Sequence, residues 1–482
     1  MPHATIVRFT EDLRLADNPA LAAAVARGGA VVPVYILASI EKGAWPLGAR
    51  ARAWLERSLI ALDADLRSRG SRLILAIGEP ATVLASIAKT TGADTIHAQR
   101  RWAPDPREVD DVTAANLHAC GVEYVRFGGS LLHDPMRVAT ASGTPYRVFT
   151  PFARRLFASA TQLELHDAPA HLTQPERWPD SRDIAELHLA PSATTALSAW
   201  CPGEAGAINR LHRFLEGPVE RYDTDREIPG IPGTSRLSPH LRFGEIAPAR
   251  VWTEAHATGG EAAEPFLRQL VWREFSWHLL AHFPRSVDEP LKPGFEYFPW
   301  SRDPEGLKAW EQGRTGFPIV DAGMRELVAT GWMHNRVRMI AASVLTKDLL
   351  LPWQSGAQYF WRHLFDADLA DNTFGWQWVA GSGADAAPYF RVFNPTIQGE
   401  KFDRDGAYVR RWVPELATLP DRWIHRPHEA PAGVLTAAGV VIGETYPAPI
   451  VDHASARKRA LAIYDAVRRG GIGDAKDGAG AA

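Results

Sequence analysis

Five short apolar runs, at residues 5–9, 30–37, 72–78, 94–99 and 122–127, punctuate the first part of the chain. Between them lie amphipathic stretches of helical period. The clearest covers residues 49–70, where Trp54, Leu55, Leu59, Leu62 and Leu66 fall on one face. Apolar strands alternating with helices predict a parallel, doubly wound α/β sheet over residues 1–130. No G-x-G-x-x-G follows the first strand, so a dinucleotide site there is unsupported. Residues 131–203 are irregular and rich in Pro, Ser and Thr, the text of an inter-domain connector. Helical periodicity then dominates residues 204–469. A Gly-rich tail, 470–482, reads as disordered.

Composition narrows the class without fixing it. With 46% hydrophobic and 23% charged residues, the 482-residue chain reads as an ordinary globular protein with two or more domains. No apolar run reaches the length of a membrane span, and the opening MPHATIVRF lacks the apolar core of a signal peptide. Cys120 and Cys201 are too few for a disulfide framework, which points to the cytoplasm. No His/Cys/Asp/Glu set has metal-ligand spacing. A net charge of −3 argues against general adhesion to nucleic acid, so DNA binding would need a local basic face.

The most informative text is residues 331–395, GWMHNRVRMIAASVLTKDLLLPW and then DADLADNTFGWQWVAGSGADAAPYFRVFNP. It sets Asn335, Arg336, Arg338, Met339, Asp366, Asp368, Asn372 and Arg391 among Trp353, Trp376 and Trp378 in one apolar stretch. Charged residues seldom sit buried unless paired or bound to something. Two readings remain on these grounds: a helical bundle with satisfied ion pairs, or a core built around a large polar, redox-active cofactor.

The pattern closely resembles the FAD domain of the DNA photolyase and cryptochrome family, and the resemblance spans almost the whole chain. FTEDLRLADNPAL is similar to the family's opening signature, with Arg8 and Thr10 departing from its usual Trp and Arg. YVRRWVPELATLPDRWIHRP, YPAPIVDHASARKRAL and GARARAWL most resemble the plant-cryptochrome-like branch, which includes bacterial class III photolyases. The resemblance implies an N-terminal antenna domain, a connector and an all-α FAD-binding domain.

It also implies roles for particular residues. Tyr222, Thr234, Ser235, Arg236, Leu237 and Ser238 match the phosphate-binding segment, and Phe266 matches a further cofactor contact. Hydroxyls, backbone N–H groups and a helix start after Gly233 suit a pyrophosphate, although T-S-R-L-S alone is equally an ordinary N-cap. Arg338 and Asp366 match the pair flanking the flavin ring, and Asp368 an acceptor nearby. Asn372 matches the residue facing flavin N5, where photolyases usually carry Asn, plant cryptochromes Asp and animal cryptochromes Cys. Trp376, Trp353 and Trp300 match the family's electron-carrying triad, though any one Trp is equally a core aromatic.

Gln269, Trp272 and Arg273 share one helix face, as do Asn335 and Met339. By resemblance Trp272 and Trp378 wall a pocket for a flipped lesion, Asn335 bonds its bases, and Arg336, Arg391 and Gln398 hold phosphates. His334 reads as structural. Enzymes of the (6-4) photoproduct usually carry His at the positions of Asn335 and Met339, to donate a proton. Splitting a cyclobutane ring needs only an electron lent and returned. Gln269 stands where dimer photolyases usually have Glu and (6-4) enzymes often have Gln.

The expected activity is therefore light-driven repair of cyclobutane pyrimidine dimers in UV-damaged DNA by a monomer using reduced FAD (FADH−). A blue-light cryptochrome receptor and a (6-4) photolyase are the alternatives. Asn372, the two pocket Trp residues and the short C-terminal text weigh against the receptor. An antenna pigment, methenyltetrahydrofolate or a deazaflavin, would lie against RRWAPDPREVD, where Pro106 replaces a Glu used by some folate-binding relatives.

Overall fold

A computed structural model describes residues 3–38, 45–160, 163–189, 195–385 and 391–470; the tail expected to be disordered lies, beyond Gly470, outside them. The chain forms two compact units. One holds Met1–Pro284, Leu327–Trp332 and Phe360–Asn372; the other holds Arg285–Glu326, Met333–Tyr359 and Thr373–Ala482.

The first unit opens with β1 (Ala4–Phe9), α1 (Pro19–Ala26), β2 (Val31–Leu37), α2 (Ala49–Arg67), β3 (Ile74–Ile77), α3 (Pro80–Thr91), β4 (Ala93–Gln99), α4 (Pro104–Ala119) and β5 (Glu123–Phe127). All pairs are parallel, in the order β3-β2-β1-β4-β5. This is the expected doubly wound sheet. Burial on both faces explains why its strands read as continuous apolar runs. Val7 and Phe9 of β1 pack with Trp54, Leu59 and Leu62 of α2. Ala4 and Ile6, on the opposite face, pack with Leu84 and Ile87 of α3 and Leu117 of α4. Helix starts carry their caps: Asn18 accepts from Leu21 N, and Glu79 from Ala81 N and Thr82 N.

Arg8, a departure from the family signature, is buried in β1 and donates to Asp110 Oδ1 and Tyr124 Oη, both at 2.8 Å. Arg101 adds a second guanidinium, its Nε 2.9 Å from Asp110 Oδ2. Burial opposes ionisation of Asp110, but Arg101 and Arg8 outweigh it and hold the carboxyl below its usual range.

The segment read as irregular contains an 11-residue helix, α5 (Phe149–Ser159), with Phe149, Phe152, Ala153 and Leu156 buried. Then come α6 (Glu204–Leu215), α7 (Tyr222–Asp225), α8 (Ser238–Arg242), α9 (Pro248–Gly259) and α10 (Glu264–His282).

The remaining chain is helical, as its periodicity predicts: α11 (Pro304–Glu311), α12 (Pro318–Thr330), α13 (Asn335–Ser343), α14 (Trp353–His363), α15 (Leu369–Ala380), α16 (Pro395–Phe402), three shorter helices and a last one, His453–Gly470. A π-helical turn, Val344–Asp348, follows α13, and Leu350 takes a left-handed φ of 54° before α14 begins. Among the described residues no helix is long and apolar enough to cross a membrane, and no group of three His, Cys, Asp or Glu is arranged for a metal ion.

Candidate flavin and lesion site

All the proposed flavin residues except Arg338 lie in the first unit, on α7, α8, α10, the start of α15 and the loops before α8 and α15. Ser238 Oγ donates to Asp366 Oδ2 at 2.6 Å, joining residues 128 apart in the chain. The helix behind this contact starts at Ser238, not directly after Gly233, and it has only five residues. Thr234 and Ser235 lie in the loop before it. Arg236 adopts φ 53° and sets its guanidinium 4.5 Å from the Trp332 ring, a stacking that helps offset the backbone conformation. Gly233 sits against Asp225, whose carbonyl oxygen would be 2.5 Å from any Cβ, so only glycine lets the loop lie this close. Tyr222 and Phe266 meet edge to face at 5.5 Å. Hydroxyls and a close-lying glycine loop suit the phosphates of FAD, and the Asp366 carboxylate suits the ribityl hydroxyls, from which it can accept.

Asp368 caps α15: its Oδ1 accepts from Ala370 N and Asp371 N at 3.0 and 3.1 Å. Its Oδ2 takes Trp277 Nε1 at 3.2 Å and lies 3.9 Å from Arg273. Arg273, expected among the lesion contacts, also donates to Ser130 O at 3.0 Å, so its guanidinium serves the interior of this unit. Asn372 is half-buried on the first turn of α15, its N–H bonded to Asp368 O. Gln269 is half-buried, and its Nε2 donates back one turn to Pro265 O at 3.1 Å.

Sequence reasoning missed the acids beside these residues. Ser276 Oγ donates to Asp371 Oδ1 at 2.5 Å. Glu274 accepts from Leu132 N at 2.9 Å and His133 N at 3.3 Å. Burial pushes the Glu274 carboxyl up to about 7 against the pull of Arg273. Asp371, whose residue surface solvent still reaches, is raised to about 7 by desolvation of its carboxyl and then by the charge of Asp368. The one available signal was helical spacing: Ser276 and Trp277 lie four residues beyond Trp272 and Arg273.

At the carboxyl ends of β1 and β4, where the strand order reverses, a crevice is lined by Glu11, Arg101, Trp102, Arg242, Arg273 and Asp368, among others. Arg242 bridges it, donating to Glu11 Oε1 and to Ala367 O, both at 2.7 Å.

The second unit holds the remaining candidates. Asn335 Nδ2 lies 3.8 Å from Met339 Sδ on one face of α13. His334 is the N-cap of that helix: its side chain accepts from Arg336 N and its N–H donates to Glu326, the structural part expected of it. Arg338 Nε donates to Met333 O at 2.8 Å. The Arg336 guanidinium lies 4.4 Å from the Phe402 ring of α16, the helix that carries half-buried Gln398. Arg391 is exposed and Trp378 half-buried.

Among the three tryptophans, Trp376 and Trp353 are 2% and 1% exposed, whereas Trp300 is partly exposed. Trp376 packs on Gly356, one turn into the helix that Trp353 begins. Trp300 packs with Leu350, three residues before Trp353, and Ser301 N donates to Leu350 O at 2.7 Å. The order Trp376, Trp353, Trp300 thus runs from buried to partly exposed.

Known proteins resemble this chain in both sequence and fold. Residues 5–175 match the DNA photolyase domain, and residues 266–466 the FAD binding domain of DNA photolyase. A deoxyribodipyrimidine photo-lyase of Agrobacterium fabrum is 49% identical, over 96% of this chain and 98% of that protein. Cryptochrome-1 of Arabidopsis thaliana is 38% identical, over 94% of this chain and 69% of that protein. The crystal structure of a class III photolyase from Agrobacterium tumefaciens superposes with a TM-score of 0.94 at 47% identity, covering 97% of this chain and 98% of that one. Likeness of this extent, reaching through both the sheet and the helical part, places the chain in the DNA photolyase and cryptochrome family.

Proposed function

We propose that this chain repairs cyclobutane pyrimidine dimers in DNA, using light and FAD in its reduced, anionic form. FAD, when bound, supplies the excited-state electron that opens the cyclobutane ring and accepts it back afterwards. The protein's share is to hold, orient and insulate. Ser238 and Asp366 would grip the cofactor's polar chain, and Asn372 would present an amide that offers no transferable proton. Trp272 and Trp378 would replace the stacking that a flipped dimer loses. Arg336, Arg391 and Gln398 would hold phosphates. Trp376, Trp353 and Trp300 would refill the cofactor with electrons from the surface when it is oxidised. An antenna pigment, a folate or a deazaflavin, is expected against the loop that follows β4. A monomer in the cytoplasm is the expected setting, where Cys120 and Cys201, both exposed and unbridged, stay reduced.

The observation that carries this reading is the full-length likeness to a deoxyribodipyrimidine photo-lyase. The pairing of Asn335 with Met339 supports the choice of lesion, since neither can donate the proton that (6-4) chemistry needs. The likeness to Cryptochrome-1 favours a second reading, a blue-light receptor.

Illuminating reduced holoprotein with oligonucleotides that carry one defined lesion separates the readings. Dimers should disappear and (6-4) products persist. Gln269→Glu should keep or raise dimer repair. A wild type active on (6-4) lesions alone would reverse the lesion assignment. Inactivity on both, with reduced FAD bound, would favour the receptor.

A further inference from the structure

Trp272 does not stand alone on its helix. Its indole lies flat against the ring of Phe149, with centroids 3.4 Å apart and planes 3° from parallel. Phe149 is 1% exposed and opens α5, the helix inside the segment that the sequence presents as a connector. The Arg268 guanidinium, one turn before Trp272, lies 4.9 Å from the same ring. Phe275 closes the corner, meeting Phe149 at 72° and Trp272 at 72°.

Residues 130–135, between β5 and α5, are tied to α10 as well. Ser130 O accepts from Arg273, Leu132 N and His133 N donate to Glu274, and Pro135 O is bonded by His278 and His282. Every one of those partners is on α10. A side chain with a broad second torsion has its plane set by what it packs on, and here that partner is a buried aromatic ring on a helix packed against α10. A base stacked on Trp272 must adopt the plane of that indole.

We infer that Phe149 is a positioning residue for lesion recognition, fixing the plane in which Trp272 meets a flipped dimer. The inference rests on the reading of Trp272 as a lesion wall. It extends the recognition apparatus to α5, whose Phe149 is buried beneath the indole.

The test compares affinity for dimer-bearing and undamaged duplexes, using FAD-loaded Phe149→Leu, Phe149→Tyr and Trp272→Ala. Leucine keeps apolar volume and removes the plane, whereas tyrosine keeps the plane. Phe149→Leu should cut the preference for the dimer by about fivefold and leave affinity for undamaged DNA and FAD content unchanged. Phe149→Tyr should keep the preference. The double variant Phe149→Leu/Trp272→Ala should be no worse than Trp272→Ala, because both changes remove one unit. If Phe149→Leu does not accumulate as holoprotein, Phe149→Met makes the same comparison. Full preference in Phe149→Leu, with Trp272→Ala defective, overturns the role of Phe149 and leaves the lesion wall standing. Full preference in Trp272→Ala overturns the lesion wall and the inference with it. Equal loss on damaged and undamaged DNA also overturns it, since that is the mark of a general structural defect.

Discussion

Trp376 rests against the bare α-carbon of Gly356, so close that a methyl group at that position would overlap the indole and would also press Leu345 at 2.6 Å. Gly356→Ala should therefore displace the ring as well as strain the helix. Overpacking of this kind costs about 1–3 kcal/mol. A lowered Tm with slowed photoreduction of bound FAD is the expected pair of results. Normal photoreduction at lowered Tm would mean that the electron does not pass through Trp376.

Trp353→Phe should abolish photoreduction of oxidised FAD by external thiol. Phenylalanine fills most of the same space but is far harder to oxidise. Repair by chemically pre-reduced protein should persist, because that electron starts on the cofactor. Unchanged photoreduction would place the route elsewhere.

Glu274 makes stability depend on pH. Its usual value is near 4.5 and its native value about 7. Between those limits the native state keeps a proton that the unfolded chain releases, so stability falls as pH rises, by on the order of 3 kcal/mol over the window. His278 has the opposite sign, because burial and His282 lower it from 6.5 to about 4. Its contribution grows as pH rises from about 4 and is complete above 6.5. The difference between wild type and Glu274→Gln removes the histidine term. That difference should decline from pH 5 to 7 and then level off. Parallel curves would show that Glu274 titrates alike in both states.

Ser238→Ala should weaken FAD binding by about tenfold, the equivalent of roughly 1.4 kcal/mol, near the value of a hydrogen bond to a charged group. Titrating apoprotein with FAD checks this. An unchanged affinity would mean that the Ser238–Asp366 contact shapes the loop without serving the cofactor.

The sheet was legible because parallel strands covered on both faces write themselves as unbroken apolar runs, and α2 because its leucines keep helical spacing. Phe149, Phe152, Ala153 and Leu156 carry the same spacing in α5, but Pro, Ser and Thr around them masked it. The roles proposed for the tryptophans and Asn372 come from resemblance, not from any pattern that spacing alone would reveal. Glu274 and Asp371 were not legible, since their environment is made by Leu132, His133, Ser276 and Asp368, which chain order does not bring together. Arg8 looked like a defect in a signature until its partner Asp110 appeared 102 residues away.

The ties between the sheet and the helices that follow it have a consequence for synthesis. The Glu204 carboxylate accepts from Leu15 N and Ala16 N, and Trp54 Nε1 donates to Glu245, itself paired with His240. These bonds close over 189 and 191 residues. At about 5–20 residues per second, a ribosome delivers the second partner roughly 10–40 s after the first. Until then Leu15 N, Ala16 N and Trp54 Nε1 can donate only to water, and the surfaces that the later helices cover stay open. The sheet-bearing part of the chain thus completes these bonds only after Glu204 and Glu245 are made, so a fragment ending at residue 203 should be less stable than the same residues within the whole protein.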